Sequence, residues 1–316
     1  LDRAAEGEGD AVIPFILRRV LVALPVLFIV ATLSFLLMRL APGSPFTKER
    51  AIPAAILRQL EAHYNLNGSL PQQYGGYLRD LAHGNLGLST QYRNRTVNEI
   101  IGQTLPVSLT VGAAAFAVAL GVGIWVGTYA AVRHNRWGDR AAMTGALLGI
   151  SLPVFVIAPL AVLLFGIGLR WVPVAGWGSP RQLILPALCL GLPFAAAVAR
   201  LMRASLLEVL GQDFIRTARA KGQTERKIVY RHALRVALLP VVSYAGPLAA
   251  NLLTGSIVIE TIFALPGIGP FFVNSVLNKD VFMVGGVVLL YSTLLIAFNI
   301  VVDVLYAVLD RRVRIS

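Results

Sequence analysis

Ile100–Val132 reads IIGQTLPVSLTVGAAAFAVALGVGIWVGTYAAV, 33 residues without one Asp, Glu, Lys or Arg. An α-helix needs roughly 20 mostly apolar residues to cross about 30 Å of hydrocarbon, and this run exceeds that length. Five more charge-free runs of spanning length surround it: Val20–Met38, Ala141–Leu169, Gln182–Ala199, Val236–Ile259 and Val281–Val302. The chain of 316 residues is 56% hydrophobic and only 14% charged. A soluble domain of this size carries about a quarter of its residues as charges. The reading is a multispanning, all-α integral membrane protein with six transmembrane helices.

The balance of 28 Lys and Arg against 16 Asp and Glu, a net charge of +12, first suggests nucleic acid. Its placement argues otherwise. If the six runs span, residues 1–19, 133–140, 200–235 and 310–316 share one side and hold 18 of the 28 basic residues. The excess of Lys and Arg marks the cytosolic side. Both termini are therefore expected in the cytosol, with no nucleic-acid partner.

The expected organisation is a flexible cytosolic tail at 1–14, a first transmembrane helix at 15–40 and an external loop at 41–99. A five-helix core at 100–309 and a cytosolic tail at 310–316 follow. The loop is expected to hold short helices over 53–63 and 70–81. Gly112, Gly121, Gly123 and Gly127 predict close helix packing. Pro153 and Pro159 predict kinks in the third run. Cys189, the only cysteine, excludes an intrachain disulfide and reads as a small buried residue.

Residues 206–236 differ in kind from the spans. Nine basic residues fall within 200–235, and Leu206, Leu210, Phe214, Ala218 and Gly222 recur at near-helical spacing. Two short amphipathic helices joined at Gly222 are expected. A lipid surface or the groove of a cytosolic partner suits such a segment, and the interruption at Gly222 favours the partner. Catalysis has little support. No phosphate-binding loop, dinucleotide fingerprint or HExxH helix is present, and His63, His83, His134 and His232 are scattered. Glu260, Asn299 and Asp303 are read as structural polar groups, anchoring or bridging helices near the membrane interfaces, because intramembrane ionisable groups seek partners. Asn251 and Ser256, inside a span, read the same way.

Several blocks together resemble the B-type permease subunits of bacterial ABC importers for oligopeptides, dipeptides and nickel. They are FILRR at 15–19, MRLAPGSPF at 38–46, YLRDLAHGNLG at 77–87, DFIRTARAKGQTERKIVYRHALRVALLP at 213–240, GSIVIETIFALPGIG at 255–269 and VVDVLYAVLD at 301–310. The resemblance implies a permease subunit that forms half of an oligopeptide translocation pathway. It implies a homologous C-type permease, two cytosolic ATPase subunits (identical or a pair of different chains), an extracytoplasmic solute-binding protein and surrounding membrane lipid. No cofactor is expected in this chain; ATP and Mg belong to the ATPase subunits.

By the same resemblance, segment 216–233 couples to an ATPase through Arg216, Ala218, Arg219, Lys221, Gly222, Arg226, Ile228 and His232. Ala218 and Ile228 are expected as its apolar docking contacts. Leu265, Pro266, Gly267 and Gly269 are expected at an external turn facing the binding protein. Importers of other solutes open this segment with Glu-Ala-Ala, where Arg216, Thr217 and Ala218 stand here. That departure suits the peptide-type subclass. The alternatives are the same scaffold importing dipeptides, nickel or another small solute, and a secondary transporter. The latter would show inverted repeats and broken midplane helices.

Overall fold

A computed structural model of the chain describes residues 18–19, 21–37, 68–92, 94–254 and 257–309, with backbone alone at 254 and 302–309. The expected tails, the helix over 53–63, the exit motif at 38–46, Ser256 and the Asp303 side chain lie outside that description. The regular structure among the described residues is helical, with one isolated bridge between Leu88 and Thr96. In chain order the helices are α1 (Leu21–Leu37), α2 (Leu70–Ala82), α3 (Val97–Val132), α4 (Trp137–Ser151) and α5 (Val154–Ala161). Next come α6 (Pro180–Leu210), α7 (Asp213–Ala220), α8 (Glu225–Lys227), α9 (Leu234–Ala237) and α10 (Leu239–Thr254). The last are α11 (Ile257–Ile262), α12 (Ile268–Leu277) and α13 (Val281–Leu309). Wider π-type turns follow α5 at Val162–Gly168 and α8 at Ile228–Ala233.

Four helical stretches are long and apolar enough to cross a membrane: α3, α6, Leu239–Ile262 and α13 from Val281 to Val301. The third charge-free run is a bent pair, α4 and α5 with its π-turn, meeting at 105°. Pro153 makes the break. A proline disfavours helical geometry in the residue before it, and Leu152 is extended at φ −91°, ψ 125°. Pro159 lies inside α5, and the π-turn that follows accommodates a disturbed hydrogen-bond ladder. Of the two expected kinks, only the one at Pro153 breaks the chain's direction.

The described residues divide into two compact units, one within 18–107 and 267–300, the other within 108–266 and 301–309. In the first, Val97, Ile100, Ile101, Ile268, Met283 and Val287 form a buried apolar cluster. Asp280 ties it together while fully buried. One carboxylate oxygen accepts from the Ser89 hydroxyl and from the Gln91 amide at 3.2 Å. The other accepts the Met283 amide at 3.2 Å, capping α13. A reciprocal cap between Thr96 and Glu99, each bond 3.1 Å, starts α3 and satisfies two otherwise orphaned donors.

In the second unit α3 and α6 approach closely. A Cβ on Gly123 would stand 2.6 Å from the Val198 Cβ, and one on Gly127 would collide with the Ala199 carbonyl. Small residues four apart allow this approach between membrane helices. Gly112 does the same toward Leu252, where an added Cβ would lie 2.6 Å from the carbonyl oxygen. Gly121 differs from the expectation, since nothing lies within 4 Å of its added Cβ. Cys189 is buried at 3% exposure.

Candidate functional site

α6 continues without interruption to Leu210, so the distinct segment starts later than the pattern from Leu206 suggests. Gly211 and Gln212 turn the chain, and α7 runs from Asp213 to Ala220 with Asp213 in its first turn and Arg219 in its last. Those charges complement the helix dipole. Beyond α7, Gly222 takes φ +73°. Its amide donates to Arg219 O at 2.9 Å, and the Gln223 amide donates to Ala218 O at 3.3 Å. This hydrogen-bond pair is the glycine-terminated helix end in which a left-handed residue satisfies the last carbonyls. Glycine occupies that position without the steric penalty a Cβ brings.

Side chains brace the turn. Arg219 donates to both carboxylate oxygens of Glu225, at 2.7 and 3.2 Å. His232 Nε2 lies 2.8 Å from Gln223 Oε1. The Arg219 guanidinium holds the Glu225 carboxyl below its ordinary value. Arg216 meets Asp213 at 3.3 Å, both well exposed.

Burial sorts the expected contacts. Ile228 is fully buried and Ala218 is 9% exposed, alongside buried Ile215, Val229 and Ala233. Ala218 and Ile228 therefore face into their own fold, where they fix the shape of the turn, and are not outward docking residues. The outward apolar groups are Phe214 and Tyr230. Around them Arg216, Arg219, Lys221, Gly222, Arg226, Lys227 and Arg231 are exposed. A ridge results, with an apolar underside and a basic rim bearing two aromatic side chains.

A second element was not visible as a unit in the sequence. Arg203 on α6 donates to Asp139 through Nε at 2.6 Å and Nη2 at 2.7 Å. The Asp139 side chain is 3% exposed and also accepts the Asn135 amide at 2.9 Å. His134 Nδ1 stands 3.2 Å from Arg203 Nη2. This cluster fastens the turn between α3 and α4 to α6, about two helical turns before the end of that helix. The only advance signal was two opposite charges in segments expected on the same side.

The remaining expected residues are dispersed. Leu265, Gly267 and Gly269 are buried and only Pro266 of that turn is exposed, which leaves little of the expected external contact at the surface. Glu260 is fully buried; Asn299 and Asn251 are exposed. No group of three or more His, Cys, Asp or Glu among the described residues is placed to hold a metal.

The chain is thus polytopic by its long apolar helices, with a glycine-turned basic ridge between two of them. Residues 123–315 match the family of binding-protein-dependent transport system inner membrane components, and the chain belongs to that family of multi-pass membrane permeases. It is 50% identical over 302 residues to the oligopeptide transport system permease protein OppB of Salmonella typhimurium, covering 95% of this chain and 99% of that one. The Escherichia coli OppB is 49% identical over the same coverage. The dipeptide transport system permease protein DppB of Bacillus subtilis is 40% identical over 301 residues, covering 95% of this chain and 98% of that one.

Solved structures share the fold. The inward-facing MetNI methionine ABC transporter superposes with a TM-score of 0.55 at 19% identity, covering 67% of this chain and 97% of that one. An amino acid ABC transporter with histidines gives 0.52 at 14% identity, covering 66% and 94%.

Proposed function

We propose that this chain is the permease subunit of an ATP-driven oligopeptide importer and forms half of its translocation pathway. The observation that carries the solute class is the 50% identity to a protein named for oligopeptide transport, spread over 99% of that protein's length. The same observation supports a homologous permease partner, two ATPase subunits holding ATP and Mg, and an extracytoplasmic binding protein. Both termini lie in the cytosol in this reading. Six spans result when α1 and the bent α4–α5 pair each count as one.

The ridge 213–233 is the coupling element. Closure of the ATPase pair moves it as a body, because Ile215, Ala218, Ile228 and Val229 root it in the permease while Phe214, Tyr230 and the basic rim meet the partner. Such a movement shifts the permease between two packings only as far as the ATPase binds one better than the other. The cations on the rim fit carboxylates on the partner, where truncating a buried, hydrogen-bonded charge costs about 2–5 kcal/mol and a rim charge much less.

The test is uptake of labelled peptides of two to five residues by cells whose transporter lacks or carries this chain. Restored uptake of tri- to pentapeptides is expected. Restored uptake of dipeptides or nickel alone would overturn the oligopeptide assignment while leaving the permease role in place.

A further inference from the structure

Near its C-terminal end α3 carries Trp125 and Tyr129, and Arg133 follows its last residue at the same four-residue spacing, its amide bonded to Tyr129 O at 3.1 Å, so the three lie along one face. The Trp125 and Tyr129 rings stack with centroids 6.2 Å apart. The Arg133 guanidinium lies 4.7 Å above the Tyr129 ring and donates to its hydroxyl at 2.7 Å. Beside this ladder opens a groove of about 380 Å³, floored by Gly121, Ile124, Thr128 and Val132 and walled by Tyr230 and Leu234.

Three properties of the groove stand out. Arg133 has no carboxylate partner among the described residues. The Thr128 residue is 6% exposed, and its buried hydroxyl has no hydrogen-bond partner. Helical threonines commonly return such a hydroxyl to the preceding turn, as Thr104 does to Ile100 O at 2.8 Å; Thr128 does not. Finally, the space over Gly121 is open to beyond 4 Å.

The order of these features along α3 is informative. At 1.5 Å rise per residue, Thr128 lies about 7–8 Å deeper than Arg133, and Gly121 about 10 Å deeper again. A cation, then a lone hydroxyl donor, then an apolar slot is the complement of a glycerophospholipid: phosphate, ester carbonyl, acyl chain. A tyrosine beside an arginine, as Tyr129 is beside Arg133, also belongs at the headgroup level of a bilayer.

We propose that this groove binds one anionic phospholipid in the leaflet at the Arg133 end. Arg133 takes the phosphate, the Thr128 hydroxyl turns outward about its Cα–Cβ bond to donate to an ester carbonyl, and one acyl chain lies along Ile124 toward Gly121. Tyr230 sits in the π-turn that roots the ridge and Leu234 starts the helix after it, so the lipid braces α3 against the base of the coupling element. The proposal rests on α3 crossing a bilayer and not on which solute is transported.

The experiment is native mass spectrometry of the purified, assembled transporter, delipidated and then supplied with phosphatidylglycerol or phosphatidylcholine. The unmodified protein should retain phosphatidylglycerol in preference. Arg133→Gln should reduce that preference roughly fivefold, the effect of one basic side chain near an anionic surface. Gly121→Ile, which fills an unobstructed slot, should lower retention of both lipids without disturbing assembly. Equal retention by all three proteins would overturn the proposal. So would efficient crosslinking of a Trp125→Cys variant to the second permease subunit, which would make the groove a protein interface.

Discussion

Two arginine–carboxylate pairs in this chain have nearly the same geometry and opposite surroundings. Arg203 and Asp139 meet at 2.6 Å with the acid 3% exposed. Arg219 and Glu225 meet at 2.7 Å with side chains 44% and 65% exposed. Bond length therefore says little about consequence. The first pair joins segments 64 residues apart and leaves a buried charge if broken; the second spans six residues across a turn in water. The first belongs to the frame that carries the ridge, the second to the exposed turn of the ridge.

The largest effect should come from the frame. Asp139→Ala strands the Arg203 guanidinium, and breaking a buried pair costs about 3–5 kcal/mol. The lower end is expected because a quarter of the Arg203 side chain remains exposed. Thermal unfolding of the purified complex should show a clear loss, and Asp139→Leu combined with Arg203→Met should regain part of it. An Asp139→Ala protein as stable as its parent would erase the distinction between the two pairs.

Ile228→Ala sharpens the comparison inside the ridge. The side chain is fully buried, so truncation should cost about 2–4 kcal/mol locally. Tyr230→Ala, at a 61% exposed side chain, should leave stability nearly unchanged and lower peptide-stimulated ATPase activity instead. Hydrogen exchange across 213–233, measured beside ATPase rate, separates the two outcomes. Reversed results would put Ile228 at the partner surface after all.

Gly222→Ala comes next, at about 1–2 kcal/mol, because only the left-handed geometry at φ +73° is penalised. An added Cβ there meets nothing within 4 Å. Its effect should appear as reduced uptake per ATP hydrolysed, with expression of the permease maintained.

What the sequence made legible follows from range. Long charge-free runs announce apolar helices because lipid tolerates no uncompensated charge, and Gly222 announces a turn because few other residues fit. Burial of Ala218 and Ile228 was not legible: on a short amphipathic helix, period identifies a face but not whether it meets its own chain or a partner. The break at Pro153 was indistinct from Pro159, since the difference lies in whether the neighbouring turn accommodates the lost donor. The Asp139–Arg203 pair depends on two helices meeting far apart in sequence, which local periodicity does not encode.

The smallest effect, and the sharpest check of the comparison, is the pH response of the exposed pair. The Arg219 hydrogen bonds hold the Glu225 carboxyl below its ordinary value in the folded chain. The unfolded chain therefore binds the proton first as pH falls. The pair's contribution is complete above the unfolded carboxylate range and disappears as pH drops through the folded one. Exposed pairs contribute about 0.2–1 kcal/mol, and solvent and salt screen this one. Glu225→Gln should thus change ridge opening, read by hydrogen exchange at neutral pH, by less than about fivefold. The difference from the parent should shrink toward acid and in high salt. A large, salt-insensitive effect would mean that Glu225 is enclosed in the assembled transporter, as Asp139 is within this chain alone.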